Sequence, residues 1–394
     1  MSSSRVQQKD TTVPPKTERL PNTWKRYSSM LRIASSSLLR QPSQKADTYL
    51  HDVWLLDNTA YRHHPSHISG ELHSWRVEVI AFVFRKDSRR DISKFVAGIA
   101  DLIGLDGEMG MEKEIRRRIA KRLQPFLYHV VEDHSLLLEI PLPNLTTQIH
   151  KLGPTDANGI ISQMVNTGVH HIADGARIRP HIRGVRDRAS METIFAGPEG
   201  WLVISDIDDT IKHTKTSDTT GILRTTFAEE PRPIAGMPHL YSHIERHFEP
   251  TWFYLSAAPY HLYPFLHRFI QTHFSHGTLM LRDSSWRDVS ELVKSFTVET
   301  MEYKVDQIKK IRQWFPHRRV ICIGDSTQTD PETYAEIYKS HPEWIYAILI
   351  RKVTHVPHLE KQNSSKRFKT AFQDVPGHVW KVFEHPREVY DLLG

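Results

Sequence analysis

From about residue 199 onward, runs of consecutive apolar residues alternate with stretches where apolar positions recur every three or four residues. The runs "WLVIS" (201–205), "WFYL" (252–255), "TLML" (278–281), "RVICI" (319–323) and "WIYAILI" (344–350) are strand-length. Apolar throughout, they predict strands buried on both faces. Leu262, Phe265, Leu266, Phe269 and Ile270 fall on one face of a helix over 262–273. Met301, Val305, Ile308 and Ile311 do the same over 301–315, and Asp330-Pro331 reads as N-cap and first turn of a helix reaching Ser340. Such alternation predicts an α/β fold with a doubly wound parallel sheet, whose ligands bind at the carboxyl ends of the strands.

The pattern upstream is different. "WRVEVIAFVF" (75–84) and "SLLLEIPL" (135–142) read as strands, with a helix between them over "EKEIRRRIAKRLQPFL" (112–127). Ile115, Ile119, Leu123 and Leu127 form its apolar stripe. Its other face carries Arg116, Arg117, Arg118, Lys121 and Arg122, which suits either solvent or anionic lipid. Residues 49–195 are therefore expected to form a smaller, mainly β domain with a helical insertion, ahead of an α/β domain over 196–394. Residues 1–48 read as a disordered basic arm, since positions 1–45 hold nine Lys or Arg, two acids and many Ser, Thr and Pro. Within that arm, "WKRYSSMLRIASSSLLR" (24–40) fits a solvated tail, an interfacial amphipathic segment or a mitochondrial transit peptide.

Composition narrows the partners. The formal net charge of +6 favours anionic ones, such as phospholipid surfaces or phosphoesters. Nucleic acid is set aside, because no recognition motif accompanies the charge. Cys322 is the one cysteine, so no intramolecular disulfide forms, and its apolar setting predicts an inert core thiol. No apolar run reaches the roughly 18 to 20 residues of a membrane span, so a cytoplasmic, peripheral membrane protein is expected. The alternative is mitochondrial, if the arm is a transit peptide. Among the 25 histidines, "RHH" (62–64) and "HHI" (170–172) invite a zinc reading, but no cysteine spacing supports it.

The chemistry gathers at the strand ends. Asp206, Asp208, Asp209 and Thr210 follow the first strand, Ser256 follows the second, and "GDSTQTDPE" (324–332) follows "RVICI". Clustered carboxylates repel one another unless a cation sits among them, and an all-oxygen site suits Mg²⁺. Asp206 and Asp208, two residues apart in an extended turn, can share one pocket. One can attack phosphorus while the other carries the proton to the leaving oxygen. Thr210 and Ser256 offer hydroxyls, Lys304 a cation for phosphate oxygens, and Asp325 and Asp330 further metal ligands. Arg282 and Asp283, directly after a strand, and Arg351 are candidate substrate contacts. Each signal alone also fits a turn, a cap or a surface residue; the ordered set behind successive strands does not.

That order, DxDxT, a small hydroxyl residue, a lysine and then GD with a further Asp, resembles the haloacid dehalogenase superfamily. More narrowly, "SDIDDTIK", "YLSAAPYHLYPFL", "LRD" (281–283), "GDSTQTDPETYAEI" and "IRKV" (350–353) resemble the actin-patch-type, Mg²⁺-dependent phosphatidate phosphatases of fungi, with lipins as distant relatives. The resemblance covers 199–353 and extends weakly to "WLLDNTAY" (54–61). It implies Asp206 as nucleophile, Asp208 as acid and base, and a metal on Asp206, the Asp208 backbone carbonyl and Asp325, with Asp330 nearby. The implied reaction converts phosphatidate and water to diacylglycerol and phosphate. Cortical actin or endocytic partners follow from the resemblance alone. Thr327-Gln328-Thr329 stands where the family often carries Gly-Glu-Lys, a departure that bears on substrate affinity or head group.

Neither the stretch from Thr210 to Ser256 nor that from Ser256 to Lys304 has room for a large cap domain. An uncapped rim suits a substrate too big to enclose: a lipid in its membrane or, alternatively, a phosphoprotein. A non-catalytic module binding anionic lipid is the third reading, and the presence of both Asp206 and Asp208 weighs against it.

Overall fold

The computed structural model describes residues 51–63, 74–86, 92–105, 109–143, 146–185, 189–283, 300–354 and 356–393. The basic arm at 1–48 and His64 lie outside the described residues, as do residues 284–299 between Ser256 and Lys304.

Every long apolar run of the second half becomes a strand. Among the described residues the strands are, in chain order, β1 (Asp52–Leu55), β2 (Asn58–His63), β3 (Ser74–Arg85), β4 (His129–Val130), β5 (Leu136–Pro141), β6 (Thr147–Leu152), β7 (Ile160–Gly168), β8 (Ala176–Ile178), β9 (His181–Ile182) and β10 (Thr193–Ala196). There follow β11 (Trp201–Asp206), β12 (Thr251–Pro259), β13 (Thr278–Arg282), β14 (Arg319–Asp325), β15 (Ile345–Arg351) and β16 (Trp380–Phe383). The last six form one sheet in the order β13-β12-β11-β14-β15-β16, with every pair parallel. Successive residues of a strand point to opposite faces. Val203, Ile321 and Ile323 accordingly pack beneath the helices Met237–Phe248 and Tyr263–His273. Leu202, Ile204 and Cys322 pack under Thr300–Trp314 and Asp330–Ser340. The two covered faces are what a doubly wound sheet requires.

Chain direction across the sheet reverses between β11 and β14, so a crevice opens above their carboxyl ends. That crevice receives Asp206 and Asp325. The edge strand β16 and the helix Met237–Phe248 were not evident from periodicity. "WKVF" is half exposed at a sheet edge and lacks a continuous apolar run. The helix at Asp330–Ser340 was expected to be capped by Asp330; instead Thr329 holds the cap position, and Asp330 begins the first turn with its carboxylate turned inward.

Upstream, β3 pairs antiparallel with β1, β2, β4 and β7, and β10 joins β2 in parallel. A second, three-stranded antiparallel sheet, β6-β5-β9, faces it. Val77, Val79, Ala81 and Val83 of β3 meet Leu136, Leu138 and Ile140 of β5 in a shared core. The expected helix spans Met109–Leu123, preceded by another at Ser93–Leu102. Neither covers the β sandwich. Their apolar stripe, through Ile99, Ile119 and Leu123, enters the same core as Val203, Ile222, Phe227 and Tyr241 of the α/β half. The buried Arg318 adds a polar stitch between the halves, donating to the Gly197 carbonyl (2.8 Å), to Trp201 (2.9 Å) and to Asp174 (2.9 Å).

Candidate active site

Asp206 ends β11 and is buried. One carboxylate oxygen accepts from Lys304 Nζ (2.8 Å) and the other from Thr210 Oγ1 (2.7 Å). Lys304, near the start of its helix and 1% exposed, also donates to Asp330 (2.5 Å). Asp325 ends β14; its carboxylate accepts from the Thr327 backbone (2.6 Å) and lies 3.4 Å from the Thr210 hydroxyl. The second oxygen of Asp330 accepts from the Asp325 amide at 3.0 Å. Gly324 makes that approach possible, because a Cβ there would stand 2.5 Å from the Asp330 carboxylate. Its absence of a side chain is the reason a Gly precedes Asp325.

Asp208 takes a separate place. Ser256 Oγ donates to one of its oxygens (2.7 Å) and Thr214 Oγ1 to the other (2.8 Å). Thr210 and Ser256 were read as donors to phosphate oxygens; here each hydroxyl engages a carboxylate, Thr210 on Asp206 and Ser256 on Asp208. Asp209, the third acid of the triplet, is structural. With φ at +60° it turns the chain left-handed, which Asp tolerates better than most residues. Its carboxylate accepts the amides of Thr214 (2.9 Å), Lys215 (2.8 Å) and Thr216 (2.7 Å). Arg351, buried, donates to the Asp209 carbonyl at 2.6 Å, so it braces this turn instead of standing as an open substrate contact.

Asp206, Asp325 and Asp330 offer carboxylate oxygens within 4.8 Å of one another. Burial pushes Asp206 up from the ordinary carboxylate range; Lys304 opposes the rise, while Asp330, Asp325 and Asp208 add to it. Asp325 is pushed up to about 7, by burial first and then by Asp330. Burial works against the Lys304 charge, yet Asp206 and Asp330 outweigh it and hold that ammonium above its usual value. Three carboxylates face one ammonium, so that when all are ionised they outnumber it in charge and offer oxygen donors only. A hard divalent cation such as Mg²⁺ fits that set. The carboxylate of Asp208 is not part of it.

The chain carries a recognisable signature over this half. Residues 201–352 match the family model for the catalytic domain of phosphatidate phosphatase APP1. The likeness expected from the motifs is borne out. Over 292 residues the chain is 27% identical to "Phosphatidate phosphatase APP1" of Saccharomyces cerevisiae, covering 72% of this chain and 46% of that protein. It is 25% identical over 158 residues to an uncharacterized protein of Schizosaccharomyces pombe, covering 39% of this chain and 25% of the other. The chain thus spans less than half the length of these curated relatives.

Within the APP1-like stretch, sequence reasoning missed Lys212 and Thr214. Lys212 is 1% exposed, with Nζ 2.5 Å from Thr214 Oγ1 and 3.4 Å from Asp208. Its proximity to DxDxT was a signal, but an irregular loop hides which way a side chain turns. The Thr327 departure also finds a place: its hydroxyl bonds Asp325 and meets Thr216 Oγ1 at 2.9 Å, tying the two acidic loops together. Arg367 grips the same loop from outside, donating to the Ser326 carbonyl (2.6 Å) and pairing with Glu332 (2.8 Å). Arg282 and Asp283 lie at the carboxyl end of the edge strand β13, where Arg282 pairs with Pro259 of β12, the strand that carries Ser256. Asp283 is exposed, and burial of part of its surface together with nearby Asp156 raises its carboxyl.

Proposed function

We propose that the chain is a Mg²⁺-dependent phosphatidate phosphatase of haloacid dehalogenase type, hydrolysing phosphatidate at a membrane surface through an aspartyl-phosphate on Asp206. One observation carries this reading: a buried aspartate at a strand end, held by Lys304 and Thr210, beside two further carboxylates with excess negative charge. The match of 201–352 to the APP1 catalytic domain gives the substrate class its support.

In this reading an Asp206 oxygen bonds to phosphorus as the bond to the diacylglycerol oxygen breaks. Asp208, oriented by Ser256 and Thr214, delivers its proton to that leaving oxygen. It then takes a proton from the water that attacks the aspartyl-phosphate, which frees phosphate and restores Asp206. Lys304 and the hydroxyl of Thr210 hold Asp206 in line, and the ammonium of Lys304 supplies positive charge beside the transferring oxygens. Asp206, Asp325 and Asp330, with the Asp208 carbonyl, would hold Mg²⁺, which when bound supplies positive charge against the phosphate oxygens. Residues 196–394 serve as the catalytic domain in this scheme, 49–195 as an accessory domain and 1–48 as a basic arm. Among the described residues no helix is long and apolar enough to cross a membrane.

Phosphate release from phosphatidate in mixed micelles, with Mg²⁺ and with EDTA, tests the proposal in the intact chain and in Asp208→Ala. Release that needs the metal and is lost in the variant is expected. A phosphorylated peptide runs in parallel. Cleavage of the peptide with the lipid left intact would move the substrate to phosphoproteins, and no release from either would overturn the enzyme reading.

A further inference from the structure

The basic face of the helix Met109–Leu123 does not behave as one surface. Arg116 is taken by Glu112 one turn earlier (2.7 Å). Arg118 donates to the Ala228 carbonyl (2.7 Å) and pairs with Glu230 (2.8 Å). Arg122 donates to the carbonyls of Thr226 (3.0 Å) and Glu229 (2.6 Å), its guanidinium 4.4 Å over the Phe265 ring. Arg118 and Arg122 are fixed by backbone carbonyls, and Arg122 by the ring as well. Arg117, with 84% of its side chain exposed and only a 3.9 Å approach to Glu114, and the exposed Lys121 face solvent.

Arg117 and Lys121 line a groove of about 700 Å³ whose opposite wall is the helix Tyr263–His273, with exposed Arg268. Five cationic side chains, Arg117, Arg118, Lys121, Arg122 and Arg268, meet two carboxylates, Glu114 and Glu230. Leu262, Pro264, Phe265 and Phe269 supply apolar lining. We propose that this groove docks the headgroups of anionic phospholipids in a bilayer and so holds the catalytic rim against the membrane. The inference rests on the phosphatidate reading for its purpose, not for its chemistry.

Two features select a lipid surface. Cationic walls around an apolar lining match the headgroup–acyl boundary, where charge and hydrophobic contact act together. The groove also adjoins the rim. Glu230 belongs to the segment that returns from Thr214, the partner of Asp208: Thr225 Oγ1 donates to the Thr214 carbonyl at 2.9 Å, and the Ile234 amide to Ile211 at 2.8 Å. The other wall, from His261, continues the strand end that carries Ser256. Hydrolysis converts an anionic lipid to neutral diacylglycerol, so the grip weakens as product gathers beneath the enzyme.

Co-sedimentation of the full chain with phosphatidylcholine vesicles, with and without phosphatidylserine, provides the test. Arg117→Glu/Lys121→Glu/Arg268→Glu should lower affinity for the phosphatidylserine vesicles on the order of a hundredfold, since each of the three basic residues near such a surface contributes roughly fivefold. Turnover of dispersed short-chain phosphatidate should stay unchanged in that variant. Lys361→Glu/Lys366→Glu/Lys369→Glu, an equal change of charge at exposed positions elsewhere, should bind as the unmodified chain does. Normal binding by the groove variant, or equal loss in both, overturns the proposal. If the unmodified chain does not hydrolyse short-chain phosphatidate, the phosphatase reading fails, and the vesicle result still decides the groove.

Discussion

The charge clusters around Asp206 and around Asp57, both of them buried carboxylates, are built to opposite plans. Around Asp206, three carboxylates share one ammonium, and burial drives Asp206 and Asp325 upward. Around Asp57, at the seam between the β sandwich and the α/β half, each carboxylate is answered. Asp57 accepts from His267 (2.7 Å) and the Glu192 amide (2.7 Å), and Glu192 meets His276 (3.2 Å) and Arg177 (3.0 Å). Burial alone would raise Asp57, but His267 and Glu192 outweigh it and hold the carboxyl below its ordinary range. A cluster that closes on itself fastens two surfaces. One left with surplus charge is prepared for a cation and a phosphate.

The contrast can be broken by trading charge at each cluster. Asp206→Asn should cost at least about 10⁴-fold in turnover, because the proposed nucleophile goes, while the midpoint of thermal unfolding stays level or rises as like charges are relieved. A variant that retained activity, or one that melted early, would undo the distinction. Asp57→Ala should do the reverse. Losing one partner of a buried network costs about 3 kcal/mol in urea unfolding, with turnover of short-chain phosphatidate at low temperature little changed.

The smallest effect concerns pH. Burial lowers His276 below its usual 6.5, more than Asp57 and Glu192 raise it. The unfolded chain then binds the proton first, so the contribution of neutral His276 is full above about 6.5 and declines as pH falls toward its folded value. Unfolding free energies measured on either side of that value should show the decline, and His276→Gln should flatten it. An unchanged slope would mean the seam does not titrate through this ring.

Strands β11 to β15 of the α/β half were legible because buried parallel strands demand unbroken apolar runs, and "WLVIS" or "RVICI" fit little else; the half-exposed β16 and the helix Met237–Phe248 were not. Asp206, Thr210, Lys304, Asp325 and Asp330 were legible as a set, since strand order alone brings them to one rim. Arg351 and Asp209 were not assigned their bracing roles. A chain pattern marks which residues are polar, without saying whether the partner is a substrate or the backbone of a neighbouring turn. The same limit applies to Arg118 and Arg122, whose face looked solvated or lipid-facing until the carbonyls of Thr226, Ala228 and Glu229 closed on it. Ile119 and Leu123 predicted a helix correctly, but periodicity does not name the surface such a stripe will cover.

The cover they provide has a practical meaning. A fragment cut near residue 196 would begin at a natural seam in the sheet order, yet it would strip Ile99, Ile119 and Leu123 from the core they share with Phe227 and open the segment Arg224–Ala228 on which the helix Met109–Leu123 packs. Whoever trims the chain to its smallest working piece must therefore keep two helices that contribute no residue to the aspartate cluster.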